Sequence, residues 1–117
     1  MSTREVLREE WGPFFDQFSS THMGRVVSLE MVSGELGSHR EAHNLPLEGI
    51  SADFESGLTQ VTIAMGGRAD RHVAHTVLSP LHVWLRQDEE TGEDTLELET
   101  RDSVTLVRVA PRLFRDA

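Results

Sequence analysis

The fold is decided by the stretch Asp70–Val109, which reads DRHVAHTVLSPLHVWLRQDEETGEDTLELETRDSVTLVRV. Apolar and polar residues alternate along it in short segments, and Gly, Pro, Asp and Ser separate these segments. Alternation with a period of two is typical of strands that have one buried and one wet face. The stretch therefore predicts several short antiparallel strands.

Two of these strands, Asp70–Leu78 and Leu81–Asp88, flank Ser79-Pro80. Proline cannot supply the positive φ that a two-residue hairpin turn favours, so we expect a corner between the strands rather than a hairpin. The odd-numbered positions then share an inner face, namely Val73, His75, Val77, Leu81, Val83 and Leu85. The intervening residues point outward, and they are His72, Thr76, His82, Trp84 and Arg86.

The same alternation predicts strands elsewhere in the chain, at Arg25–Val32, Leu47–Phe54, Thr59–Met65, Asp94–Thr100 and Val104–Val109. His39–Leu45 is ambiguous, because Pro46 limits a strand there to an edge or an end. A spacing of about eight to twelve residues between strands suits a small barrel or sandwich. The acidic stretch Asp88–Asp94 is expected to be a solvated loop.

A helix is predicted at about residues 10–21, because Leu7, Trp11, Phe14, Phe15 and Phe18 form an apolar stripe at helical spacing. We interpret this stripe as a lid on the sheet; a partner-binding groove or an aromatic cofactor box is the alternative. Ser2 and Glu5 have the spacing of a capping box, which is compatible with a first helical turn at the start of the chain. Proline is tolerated in a first turn but not deep in a helix, so Pro13 favours a main helix that begins at about Glu10, with the residues before it frayed or in a kinked extra turn.

The predicted fold is mainly β (α+β), with one N-terminal helix packed on a small antiparallel β-barrel or a strongly bent sheet of about six to eight short strands. A chain of 117 residues is expected to form a single domain. Its parts are the helix at about 10–21, a β-domain at about 25–110 and a short C-terminal tail at 111–117.

Composition restricts the function. The net charge is −9, from 20 acidic and 11 basic residues, and such a surface repels phosphate backbones, so we expect no nucleic-acid partner. There is no cysteine, no apolar run long enough to span a bilayer and no visible export signal. We therefore expect a cytoplasmic location, no membrane contact and no cofactor.

Several segments together resemble a family of small bacterial proteins that is catalogued only as a domain of unknown function. They are the Trp11, Phe14-Phe15-Asp16, Phe18, His22 and Gly24 pattern, LPLEGISAD at Leu45–Asp53, the His75-Thr76, Pro80 and Val83 segment, and the closing LELETRDSVTLVRV. The likeness runs from about Arg8 to Val109. It implies a stand-alone bacterial domain, and it carries no activity, ligand or catalytic residue.

The six histidines do not predict a metal site. HREAH, which contains His39 and His43, lacks the glutamate positions of the helical zinc motifs. On a strand these two histidines would lie about 13 Å apart, too far for one ion; only on a helix could they share one. His72 and His75 are three apart, so on a strand they point to opposite faces.

The outward row of His72, His82, Trp84 and Arg86 is the best candidate for a binding surface, because exposed Trp and Arg are the residue types that anchor interfaces. The alternative is that neighbouring elements cover Trp84. His75, among inner valines, is either a hydrogen-bonded structural histidine or a titrating group in a pocket. No catalytic constellation is found. We therefore predict a non-catalytic domain that binds a protein partner or forms a homodimer, with a small-ligand or enzyme-like pocket centred on His75 as the alternative.

Overall fold

The computed structural model describes residues 2–34, 37–67 and 72–111, without the side chains of residues 39, 41–43 and 56. Residues 112–117 of the predicted tail, and the first residues of the predicted strand Asp70–Leu78, lie outside this part. The main elements are β1 (Ser2–Val6), α1 (Trp11–His22), β2 (Val26–Ser33), β3 (Gly37–Asp53), β4 (Gln60–Met65), β5 (Val73–Leu78), β6 (His82–Gln87), β7 (Asp94–Glu99) and β8 (Ser103–Val109). Single 3-10 turns occupy Arg8–Glu10 and Glu55–Gly57.

These eight strands form one antiparallel sheet in the order β1-β6-β7-β8-β2-β3-β4-β5. The strands β1 and β5 are its two edges, so the described sheet is not closed. The prediction of a mainly β (α+β) fold with an N-terminal helix is confirmed. Of the two predicted architectures, the structure has the bent sheet and not the barrel.

The long strand β3 bends the sheet, because its two halves pair with different neighbours. The half that ends at Pro46 pairs with β2, and the half from Leu47 onward pairs with β4. Register shifts interrupt both ladders, and Asn44 has a φ of 55°. Pro46 is the last β3 residue in the β2–β3 ladder, where a missing N–H is tolerated. The ambiguous segment His39–Leu45 is therefore part of a strand that continues into the predicted strand after it.

Helix α1 covers the side of β3 that β2 leaves open beyond Pro46. The Ser19 hydroxyl accepts a hydrogen bond from the Ile50 N–H at 2.8 Å and lies 3.0 Å from the Ile50 carbonyl oxygen. An open strand edge with unpaired backbone groups is a site for unwanted pairing. The helix and its serine close this part of the edge.

The predicted helix at about 10–21 is confirmed as α1, and Pro13 lies in its first turn, where proline is tolerated. The expectation that the residues before the helix are frayed or form an extra helical turn is wrong for Ser2–Val6, which are β1. In β1 the backbone forms a ladder with β6 from Ser2↔Gln87 to Val6↔Val83. Tertiary pairing thus overrides the local capping signal. The β-structure begins at residue 2 and not at about residue 25.

Four members of the predicted apolar stripe pack on the inner face of the sheet: Trp11, Phe15 and Phe18 are buried and Phe14 packs against the core. The prediction is wrong for Leu7, which lies before α1 and is exposed. The alternation after residue 72 is also largely as predicted. Val77, Val83 and Leu85 are buried, whereas Val73 and His75 are only partly buried because β5 is an edge strand. Leu81 is the exception. It is 60% exposed, since it lies in the connection before β6, beyond the end of the core.

Candidate functional site

Three of the predicted binding residues form a row on the outer face of β6, and each contacts a carboxylate of a neighbouring strand. His82 Nδ1 lies 2.7 Å from Glu5 Oε2 of β1. Trp84 Nε1 donates to Glu99 Oε1 of β7 at 3.1 Å, and Arg86 Nη2 lies 2.5 Å from Glu97 Oε1 of the same strand. The His82 and Trp84 rings are 6.3 Å apart. Trp84 is partly buried, and His82 and Arg86 are exposed.

The His82–Glu5 pair connects the edge strand β1 to β6. The hydrogen bond to the Glu5 carboxylate raises the pKa of His82 above its ordinary value, and the nearby charges of Glu5 and Glu99 act in the same direction. The contact is exposed to solvent, so screening limits its strength. It makes the attachment of β1 sensitive to pH.

His72 does not belong to this row. It lies just before the other edge strand, β5, and its Nδ1 is 3.2 Å from Glu48 Oε2 of β3. The hydrogen bond from the Gly67 N–H lowers the pKa of Glu48 most, and the hydrogen bond with His72 acts in the same direction. Five strands separate β6 from β5 in the sheet, so the structure does not bring His72 together with His82, Trp84 and Arg86.

His75 lies on β5 opposite Ile63, on the side of the sheet that carries the core. It is partly buried and does not line the grooves described below. The expected inner position is therefore found.

A histidine that sequence reasoning did not select, His22, has the most enclosed polar contacts. It is 6% exposed at the end of α1, and its ring stacks on Phe18 with centroids 4.0 Å apart. Nδ1 lies 2.8 Å from the Phe18 carbonyl oxygen, and Nε2 lies 2.8 Å from Asp94 Oδ2. Both partner atoms are hydrogen-bond acceptors. Because 72 residues separate His22 from Asp94, no local spacing could have revealed the pair.

The fold also brings together exposed apolar side chains at one corner of the molecule. We call this set the apolar corner. Its members are Leu7 (50% exposed), Phe54 (46%), Leu58 (67%), Leu78 (65%) and Leu81 (60%).

Hydrogen bonds and a ring contact hold the segments of the apolar corner together. Arg8 Nη2 donates to Thr59 Oγ1 at 2.5 Å, and its guanidinium carbon lies 5.7 Å from the centroid of the Phe54 ring. The Ser79 N–H donates to the Thr59 carbonyl at 2.8 Å, and the Leu81 N–H donates to the Glu99 carbonyl at 2.6 Å. The segment after β1, the β3–β4 connection and the β5–β6 connection therefore meet here.

A shallow depression of about 190 Å³ borders this corner and is lined by Asp53, Glu55, Leu58 and Gln60. Arg8 lies on the same corner, so charges of both signs surround the apolar side chains. The combined exposed apolar area is on the order of 500 Å², the size at which a surface patch on a monomer is often functional.

A second groove, of about 440 Å³, lies between β1 and α1. Arg4 forms the β1 side, and its guanidinium carbon is 5.6 Å from the Phe14 ring centroid. The helix supplies an aromatic floor in which Phe14 lies 5.8 Å from Phe18. The groove is lined by Arg4, Glu10, Pro13, Phe14, Gln17, Phe18, Thr21 and His22.

Among the described residues, no group of three or more His, Asp or Glu side chains is placed to hold a metal ion. The side chains of His39 and His43 lie outside the described set, and their backbone belongs to strand β3, not to a helix. Within the described ranges, no helix has the length and apolar composition needed to cross a membrane.

Comparison with known proteins places these features in a family context. A family of unknown function, DUF5335, matches residues 2–114. An "Uncharacterized protein" of Aquifex aeolicus (strain VF5) is 25% identical over 115 residues, which cover 97% of this chain and 96% of that protein. No solved structure is significantly similar to the chain.

Proposed function

This chain belongs to DUF5335, a family of unknown function, and we propose that it works by binding and not by catalysis. In this proposal it self-associates through the apolar corner. The observation that carries the proposal is that five large exposed side chains lie on three distant segments that hydrogen bonds hold together. These leucines are at least half exposed in one copy, and their burial against a second copy would be favourable.

The dimensions of the corner suit a dimer. A standard protein interface buries about 800 Å² on each partner, of which somewhat more than half is apolar. The roughly 500 Å² of apolar surface at the corner accounts for this apolar share. A two-fold interface needs a patch that complements itself. The corner has Arg8, which contacts the Phe54 ring, and Glu55, the next residue after Phe54, so charges of both signs are available at the interface.

The net charge of the chain opposes association, so the stability of the dimer should depend on salt. Each copy carries −9, so two copies repel each other at low ionic strength. Salt screens this repulsion over about 10 Å at 0.1 M, whereas apolar burial is not weakened by salt. The dimer should therefore become tighter as salt increases.

Sedimentation velocity over about 10 to 500 µM protein tests the proposal, with a dissociation constant expected in the micromolar range. Leu58→Glu and Leu78→Glu should each leave the monomer folded, because both side chains are exposed, and should weaken the dimer at least about tenfold. Met23→Glu is the matched control: Met23 is 64% exposed and lies at the end of α1, away from the corner. A wild-type protein that stays monomeric at all concentrations and salt levels would contradict the proposal.

The alternative function is a small-ligand pocket centred on His75. Its partly buried position on the inner side of β5 supports it. NMR spectra recorded with a library of small molecules test it: shifts centred on His75 would favour this alternative, and shifts elsewhere or none would oppose it.

A further inference from the structure

We propose that the groove between β1 and α1 binds an extended acidic peptide segment of another protein, which adds to the sheet as a strand beside β1. This surface is distinct from the apolar corner, and the inference does not depend on self-association. It rests on the backbone of β1, on the floor of the groove and on the charge of Arg4.

The backbone of β1 has one side that pairs with β6 and one side that no described strand occupies. In an antiparallel strand the N–H and C=O of a given residue point to the same side, and successive residues alternate. The Val6 carbonyl accepts a hydrogen bond from Trp11 Nε1 at 2.8 Å, so Val6 points away from β6. By alternation, the backbone groups of Ser2 and Arg4 point the same way.

These groups form a template for strand addition. A peptide laid along Ser2–Arg4 would exchange main-chain hydrogen bonds with β1, as in other cases of β-augmentation. Its alternate side chains would face α1, where Phe14 and Phe18 form the apolar floor. Strand addition gives affinity through the main chain, and the groove selects the side chains.

The guanidinium of Arg4 favours a peptide that has a carboxylate opposite it. Arg4 contacts the Phe14 ring and, among the described residues, has no carboxylate partner. The groove also contains one carboxylate, Glu10, but its Oε1 already accepts a hydrogen bond from the Leu7 N–H at 3.2 Å. The guanidinium is therefore available to a peptide carboxylate, with which it forms a charge-assisted hydrogen bond.

A second copy is a less suitable occupant of this edge. Two antiparallel β1 strands related by a two-fold axis through Arg4 would place one Arg4 directly opposite the other, and like charges at opposed positions are destabilising. The net charge of −9 on each copy adds to the repulsion. A different protein with aliphatic and acidic residues in alternation avoids the opposed arginines. The net charge of the chain still repels its carboxylate, so local attraction to Arg4 is the deciding interaction.

Two-dimensional NMR with three synthetic heptapeptides tests the inference. The first alternates threonine with valine and has one glutamate near its centre; the second has arginine in place of that glutamate; the third has proline in place of the central valine. We expect the first peptide to shift the amide signals of Ser2, Arg4 and Gln17 with a dissociation constant below about 1 mM. The arginine peptide should bind at least about tenfold more weakly, and the proline peptide, which lacks a main-chain donor, should show a similar loss.

Two protein variants test whether Arg4 is the residue that prefers the glutamate peptide. Arg4→Glu should abolish the preference for the glutamate peptide, whereas Arg101→Glu, which makes the same charge change on an exposed turn, should preserve it. The inference is overturned if the glutamate peptide leaves the β1 signals unchanged at about 1 mM, if all three peptides bind equally, or if the β1 signals shift with protein concentration alone, which would indicate pairing of two copies.

Discussion

Removing the carboxylate of Asp94 should destabilise the protein, because this residue secures the end of α1 to the start of β7. Nε2 of His22 lies 2.8 Å from Asp94 Oδ2, and His22 is 6% exposed while the Asp94 side chain is 16% exposed. In Asp94→Ala the ring keeps its contact with the Phe18 carbonyl but loses its second acceptor in a place that water reaches poorly.

The magnitude follows from the chemistry of this contact. A hydrogen bond to a charged group contributes about 1.5–3 kcal/mol, and an unsatisfied buried donor costs a similar amount. We therefore expect Asp94→Ala to lower the free energy of unfolding by about 2 kcal/mol. For a chain of this size, about 4 °C per kcal/mol gives a fall in Tm of roughly 8 °C.

Urea unfolding followed by tryptophan fluorescence measures the effect, since Trp11, the first residue of α1, is buried in the core. Asp16→Ala is the matched control: it removes the same charge from an exposed position of α1 and should change stability by no more than about 0.5 kcal/mol. A double-mutant cycle with His22→Ala should give a coupling energy of about 1–2 kcal/mol. If Asp94→Ala costs no more than Asp16→Ala, or if the cycle shows no coupling, the structural role assigned to the pair is wrong.

Two further predictions concern the edges of the sheet. The pKa of His82 should lie above its ordinary value and return toward it in Glu5→Gln, as measured by NMR titration of the ring protons. Because the pKa of His82 is higher in the folded than in the unfolded protein, the His82–Glu5 pair stabilises the fold fully below the unfolded pKa. This stabilisation disappears as the pH rises through the folded pKa. The same His82 titration in wild type and Glu5→Gln would contradict the prediction. Ser19→Ala should destabilise the protein by about 1–3 kcal/mol and speed hydrogen exchange at the Ile50 amide, since the Ile50 groups lose their partner, whereas Ser20→Ala should do neither.

The strands could largely be predicted from the sequence, because alternation is a local signal. The segments around Val77, Val83 and Leu98 have a clear period of two, and they form β5, β6 and β7. The same local reasoning misassigned Ser2–Val6, where the spacing of a capping box competes with a pairing to β6 that lies about eighty positions further along the chain. A strand of this length has little pattern of its own, so its neighbour decides its structure.

The candidate sites could be predicted less well, because they depend on which distant segments meet. The row of His82, Trp84 and Arg86 follows from parity along a single strand and is found together. The apolar corner combines Leu7 with residues of two later connections, and nothing in the sequence indicates that these connections are neighbours. Leu81 illustrates the limit: its parity matches that of Val83, yet it lies past the end of the core and is exposed.

Methyl NMR spectra of the wild-type protein in a dilution series test the central claim, self-association through the apolar corner, most directly. The account predicts concentration-dependent shifts of the methyl groups of Leu7, Leu58, Leu78 and Leu81 that grow with added salt, while those of buried Leu29 stay constant. Spectra that do not change with concentration, or changes that cluster away from these four leucines, would contradict it.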